Sequence, residues 1–145
     1  MWILITFLVL VKCAYDDIKT RYVNLSILGI GLIFAIIISI VCKENICIKS
    51  VVTGIIPGLL LLAISHIFKG IGEGDAFVFI FIGIMCGYYD VIKIIFFSFT
   101  TSFIYALFLL TIKRVGKHYS YPFVPFILSG FIICEIINIY QGVLL

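Results

Sequence analysis

The chain has few charged residues: Asp, Glu, Lys and Arg make up only 12% of its 145 residues, whereas hydrophobic residues make up 64%. An ordinary soluble domain is excluded, because about a quarter of the residues in such a domain are charged. The mean hydropathy of +1.34 is typical of an integral membrane protein. The length allows about six spans of ~20 residues, so we expect one membrane-embedded domain over residues 1–145.

Further absences narrow the function. The net charge of +3 is spread over the sequence, and without a basic stripe or run the chain is not expected to bind nucleic acid. The five cysteines form no Cys-x-x-Cys pair, and His66 and His118 have no companions at metal-ligand spacing. We therefore expect no metal and no cofactor, with the cysteines as apolar packing residues. Cys42 and Cys47 flank a short turn and are a candidate disulfide only in an oxidising compartment.

Basic residues are also missing ahead of the first apolar core, which runs from Trp2 to Val11. A signal peptide carries its positive charge before that core and a small-residue cleavage site after it. Here Lys12 follows the core, and no such cleavage site precedes Asp16. The sequence therefore predicts a retained first helix.

Long apolar runs bounded by charged or turn-forming residues predict an all-α membrane bundle of about six helices. The expected helices span residues 1–15, 25–42, 51–68, 76–89, 91–112 and 121–143. The link between the fourth and fifth helices is expected around Asp90. Pro57, with Gly54 and Gly58, is expected to kink the third helix.

The basic residues predict the orientation of this bundle, because short cytoplasmic loops are enriched in Lys and Arg. Seven of the ten basic residues lie in or beside the first, third and fifth loops, and three lie in the second and fourth. Both termini are therefore expected outside, in a multi-pass protein of the plasma membrane. This orientation places Asp17 and Asp75 together at the cytoplasmic face.

Asp17 and Asp75 are the candidate catalytic residues. Carboxylates at a membrane edge are functional-site hypotheses by default, because burying their charge is costly. Two acids that lie close together share one proton over a broad pH range, and peptide hydrolysis needs one ionised and one neutral group. Asp75 follows Gly72-Glu73-Gly74. Gly70, Gly72 and Gly74 are expected to let the chain approach closely and to take positive φ angles, which sets the Asp75 carboxylate into a cavity.

These motifs resemble the type IV prepilin peptidase family of Gly-x-Gly-Asp membrane aspartic endopeptidases. The resemblance rests on Asp17-Ile18-Lys19-Thr20-Arg21-Tyr22-Val23, on Gly70-Ile71-Gly72-Glu73-Gly74-Asp75, and on Tyr121-Pro122-Phe123-Val124-Pro125-Phe126. It implies that Asp17 and Asp75 are the catalytic acids. It also implies that the substrates are pilin-like or preflagellin-like precursors, whose leader is removed at the cytoplasmic face. Without two Cys-x-x-Cys pairs, the chain resembles the short form of the family.

Other residues have supporting or alternative roles. Gly72 and Gly74 shape the second motif. Glu73 is expected to tune the charge of the pair, to hold a basic residue of the leader, or to be a solvated loop acid. Lys19 and Arg21 are expected either to help keep Asp17 ionised or to anchor the helix end at lipid headgroups. The sequence identifies no substrate-binding residue and does not give the oligomeric state.

Three alternatives remain open at the level of sequence. Tyr15-Asp16, taken with Gly-x-Gly-Asp, resembles the presenilin-type signature, in which Asp16 would be the first acid, although Asp17 matches better. If Asp17 is the acid, Asp16 is expected to act as a cap or to pair with Lys12 or Lys19. Glu135 and Asn138 lie within the last apolar run on one helical face, where they are expected to bond to other helices. A proton path through Glu135 would make the chain an ion-coupled transporter, and a non-enzymatic pilus or secretion assembly subunit is a further alternative.

Overall fold

A computed structural model describes residues 2–21, 25–41, 48–67, 72–111 and 121–144. Those ranges contain six α-helices and no strand, which confirms the all-α class. The helices are α1 (Trp2–Thr20), α2 (Leu25–Val41), α3 (Ile48–Ile67), α4 (Glu73–Cys86), α5 (Tyr88–Thr111) and α6 (Val124–Leu144). Cys42, Cys47 and Gly70 lie outside the described residues.

The first helix is longer than the sequence predicts. It was expected to end near residue 15, but α1 continues to Thr20 and includes Asp16, Asp17 and Lys19. The apolar run ends before the helix does. Hydropathy predicts where contact with lipid stops, but the charged residues that follow are also compatible with a helical backbone. The helix ends at Arg21, whose φ of 56° is left-handed and whose amide donates to the Asp17 carbonyl at 2.8 Å.

The break between α4 and α5 also differs from the prediction. It lies at Gly87, not around Asp90, and Asp90 belongs to the first turn of α5. Gly87 has a φ of 86° and donates its amide to the Gly83 carbonyl at 3.0 Å. A side chain is strained at that φ, so glycine is the residue that permits so short a link.

Helix α4 is the centre of the bundle, because it contacts α1, α2, α3 and α5. Its side chains are buried almost throughout, and Phe79, Phe81 and Ile82 are 1% exposed or less. Leu10 of α1 and Phe131 of α6 complete the same apolar core. The position of Asp75 is therefore fixed by a helix that packs against four others.

Helix α3 packs closely on α4 through glycines. A Cβ added at Gly54 would collide with the backbone of Gly83, and one added at Gly58 would lie 2.6 Å from Ile80 Cγ1. Gly54 and Gly58 are four residues apart on one face of α3, the small-residue spacing that lets membrane helices approach. Helix α3 is continuous through Pro57 between them.

Helices α5 and α6 run antiparallel. Tyr121, just before α6, bonds to Ser102 in the second half of α5, whereas Asn138 bonds to Asp90 in the first turn of α5. Gly130 allows α6 to pack closely on α5, because a Cβ there would lie 2.8 Å from the Ile94 carbonyl oxygen. The beginning of α6 therefore lies at the same end of the bundle as the C-terminal half of α5.

Large apolar side chains cover much of the outer surface. More than half of each of the following side chains is exposed: Leu4, Phe34, Leu60, Phe96, Phe103 and Ile139. Within the described ranges, Tyr88–Thr111 and Val124–Gly142 are long and apolar enough to cross a membrane. Leu28–Ile37 and Val51–Ile67 are shorter apolar helical stretches.

Candidate active site

Asp17 lies in the last turn of α1 and is 6% exposed. Its Oδ2 accepts a hydrogen bond of 2.9 Å from the backbone N–H of Val124, the first residue of α6. Because a buried carboxylate needs hydrogen-bond donors to offset its lost hydration, this contact is the main stabilising feature of its surroundings. It also joins the end of α1 to the beginning of α6.

Asp75 lies in the first turn of α4, one residue before the predicted fourth span and at the same end of the bundle. The pKa of its carboxyl is raised to about 7, first by burial and then by the negative charge of Asp17, while a backbone hydrogen bond from Gly72 partly offsets both effects. A carboxyl with this pKa is largely protonated at mildly acidic pH. The two acids are close enough to influence each other electrostatically.

The glycines before Asp75 were expected to allow close approach and to take positive φ angles, and only the first expectation agrees with the structure. Gly72 is the N-cap of α4 with φ −67° and ψ 132°, and Gly74 is helical, so neither residue has the expected positive φ. Gly72 instead provides space, because a Cβ there would lie 3.0 Å from Asp75 Oδ2. The backbone of the motif can therefore approach the carboxylate directly.

Asp16 has a different environment from Asp17. Its Oδ1 pairs with Lys12 Nζ at 2.9 Å, one helical turn earlier, as expected for an acid outside the site. Lys19, Arg21 and Glu73 are exposed. The Glu73 carboxylate lies 3.8 Å from His66 Nδ1 on α3, and both side chains are largely exposed.

An aromatic cluster supports the segment before α6. The Tyr121 hydroxyl lies 3.0 Å from Ser102 Oγ, and its ring contacts Tyr105 and Phe126 at centroid distances of 5.8 Å. Phe123 contacts Phe99 with a centroid distance of 5.3 Å. These contacts fix the segment that presents the Val124 N–H to Asp17. Sequence reasoning missed this contribution, because a backbone donor has no residue-type signature.

A second polar cluster lies at the opposite end of α5. Asp90 Oδ1 accepts from Lys93 at 3.0 Å and from Asn138 Nδ2 at 3.3 Å, and Lys93 also donates to Asn138 Oδ1 at 3.1 Å. The expectation that Asn138 bonds to another helix is confirmed. Because these groups satisfy one another, the cluster acts as a polar link between α5 and α6.

We expect Asp90→Ala and Asn138→Ala each to destabilise the chain by roughly 1–3 kcal/mol, because each leaves a partly buried polar partner unsatisfied. The double variant should lose less than the sum, by about 0.5 kcal/mol or more. Thermal unfolding of the four proteins in detergent measures this coupling. Strictly additive losses would show that the two side chains do not interact.

Three cysteines lie within the described helices. Cys13 and Cys134 are buried, Cys86 is partly buried, and none of the three forms a disulfide. In the part of the chain that the structure describes, no three His, Cys, Asp or Glu side chains are grouped to hold a metal ion.

Comparison with known proteins adds one finding. The family model of the type IV leader peptidase family matches residues 2–110, which include Asp17 and Asp75 and make up more than half of the chain. No curated protein and no solved structure matches significantly. The extent of the family match decides the assignment: the chain belongs to the type IV leader peptidase family, whose members are proteases.

Proposed function

We propose that the chain is a membrane aspartic endopeptidase that removes the leader peptide of type IV prepilin-like or preflagellin-like precursors. The observation that carries the proposal is the pairing of buried Asp17 with Asp75, whose pKa is raised to about 7. A carboxyl that keeps its proton near neutral pH beside an ionised one provides both an acid and a base. Membership of the leader peptidase family supports the substrate class.

In the proposed reaction, the ionised carboxylate takes a proton from water as the water oxygen bonds to the scissile carbonyl carbon. The neutral carboxyl gives its proton to the carbonyl oxygen, which produces a tetrahedral diol. The carbon–nitrogen bond then breaks: the newly protonated acid gives its proton to the leaving amine, and the other carboxylate takes a diol proton. One proton remains on the pair, so the site is ready for the next cycle.

The proposed setting is a six-span protein of the plasma membrane with both termini outside and the two acids at the cytoplasmic face. The excess of basic residues in the odd-numbered loops supports this orientation. The exposed apolar side chains on the helices support a lipid environment. A precursor that carries a basic leader before a hydrophobic segment would then present its cleavage point at the depth of Asp17 and Asp75.

Exposed Glu73 is a candidate contact for the basic leader. It begins α4 two residues before Asp75, and its side chain is largely exposed to solvent. A carboxylate there attracts Lys or Arg without competing for the proton of the buried pair. Lys19 and Arg21, at the end of α1, are proposed to meet anionic lipid headgroups.

The test is co-expression with a pilin-like precursor, in which the length of the precursor is followed by mass spectrometry. The proposal expects the leader to be removed at one position before the hydrophobic segment. A matched precursor with its hydrophobic segment intact but its basic leader replaced by neutral residues should be cut more slowly. If the precursor stays full-length with the purified, folded chain, the proposed activity is wrong.

The rate of leader removal should fall at alkaline pH. The mechanism needs a protonated Asp75, and its pKa of about 7 means that the proton is lost as pH rises through neutrality. The rate should therefore fall about tenfold per pH unit well above pH 7. Initial rates measured in detergent from about pH 5 to about pH 9 test this expectation. A rate that still rises above pH 8 would contradict the assigned acid.

A further inference from the structure

The first turn of α6 offers Asp17 one particular backbone donor. The Phe123 carbonyl accepts the N–H groups of Phe126 at 2.9 Å and Ile127 at 3.3 Å, and Pro125 has no N–H. The remaining N–H of this turn belongs to Val124, which is fully buried and donates to Asp17 Oδ2. A helix N-terminus ordinarily leaves several N–H groups unpaired, whereas here one is aimed at a buried carboxylate.

This hydrogen bond favours one charge state of Asp17. A backbone N–H at a helix N-terminus carries partial positive charge, and its hydrogen bond to a carboxylate is stronger when the carboxylate is ionised. Asp75 has no corresponding contact with α6 in the described structure. Its surroundings instead favour the neutral form, because burial and the charge of Asp17 both raise its pKa.

We propose that Val124, through its backbone N–H, is a positioning residue that keeps Asp17 ionised and thereby makes it the base of the pair. The proton is then held by Asp75, which is the acid. This inference rests on the proposed function, because it divides the two roles of that reaction. It assigns to the Tyr121–Phe126 segment a part in catalysis that acts through Asp17.

The charged and titratable groups around Asp17 come from several elements. Asp17 interacts electrostatically with Asp75 on α4 and with Cys13 on its own helix. Asp16 is paired with Lys12, and Lys19 and Arg21 lie exposed at the end of α1. Helix α2, which packs on α1, has no charged residue, and Glu135 of α6 lies near Asp90 and Lys93.

The experiment replaces the Val124 amide with an ester by incorporating the hydroxy-acid analogue of valine at position 124. This substitution removes the N–H and keeps the side chain. We expect the acid limb of the pH–rate profile for leader removal to move to higher pH by about one unit. The alkaline limb, which reports Asp75, should stay in place. Valine incorporated by the same method is the matched control.

Each outcome decides between the inference and its alternative. An acid limb that stays in place in the ester protein overturns the role of Val124, while leader removal by the control protein leaves the proposed activity standing. If the ester protein is inactive at every pH, infrared titration of the Asp17 carboxyl in an Asp75→Asn background decides instead. Protonation at higher pH in the ester protein supports the inference, and protonation at the same pH overturns it. The infrared result does not depend on leader removal.

Discussion

Replacing either Asp17 or Asp75 with asparagine is expected to lower the rate of leader removal by about 100-fold to 10,000-fold. Asparagine keeps the volume of the side chain but neither takes a proton from water nor gives one to the carbonyl oxygen. Because the two acids act as one unit, the double variant should lose little more than either single variant. The rates are measured with purified protein and a pilin-like precursor at mildly acidic pH, where Asp75 is protonated.

Asp16→Asn is the matched control for this experiment. Asp16 is adjacent to Asp17 in the same helix, but its carboxylate pairs with Lys12 on the outer surface. An exposed pair of this kind contributes little to stability, so we expect a rate close to that of the parent. Loss of activity in Asp16→Asn, with normal activity in Asp17→Asn, would transfer the role to Asp16.

Stability provides a second control, because loss of the catalytic acid in a folded protein and misfolding are expected to change the stability at pH 8 in opposite directions. The raised pKa of Asp75 means that the parent has its full contribution from this group below about pH 4 and loses it as pH rises through about 7. Asp75→Asn removes the cost of ionising this buried carboxyl, so the variant should be more stable than the parent at pH 8, by roughly 1–4 kcal/mol. An inactive variant that is also less stable than the parent at pH 8 would indicate misfolding.

Hydropathy predicted where the helices lie but not where they end. The apolar run stops near residue 15, but α1 continues through Asp16, Asp17 and Lys19, because these residues are helix-compatible when their side chains find solvent or partners. The fourth and fifth helices separate at Gly87 and not around Asp90. The charge of Asp90 indicated a loop, but its carboxylate is satisfied inside the bundle by Lys93 and Asn138.

The candidate pair could be found in sequence because carboxylates are rare in this chain and one of them follows a glycine motif. The hydrogen bond that distinguishes the two acids could not be found in sequence, since it joins the Asp17 side chain to the backbone amide of Val124, 107 residues later. Gly72 was expected to allow close approach and to take a positive φ; it does the first, by leaving space beside Asp75, and not the second. Which atoms it makes room for is a property of the packed structure and not of the local chain.

The contact between Gly54 and Gly83 is also a property of the packed structure. It determines how closely α3 approaches α4, the helix that carries Asp75. Their backbones are in contact, and a Cβ on either residue would collide with the carbonyl of the other. The colliding atoms belong to helix backbones, which cannot move aside as the end of a flexible side chain can. The two helices would therefore have to separate. Separation would shift α4, and with it the relation of Asp75 to Asp17.

We therefore expect Gly83→Ala to destabilise the chain by about 3 kcal/mol or more, at the upper end of the usual cost of overpacking. Leader removal should fall in the protein that remains folded, because Asp75 moves with α4. Gly29→Ala is the matched control: Gly29 is also inside a helix, but a Cβ there meets nothing within 4 Å, so alanine should stabilise by up to ~1 kcal/mol. Thermal unfolding in detergent compares the two variants. If Gly83→Ala is as stable as Gly29→Ala, close contact between α3 and α4 does not hold Asp75 in place, and the position of the acid must depend on α1 and α6.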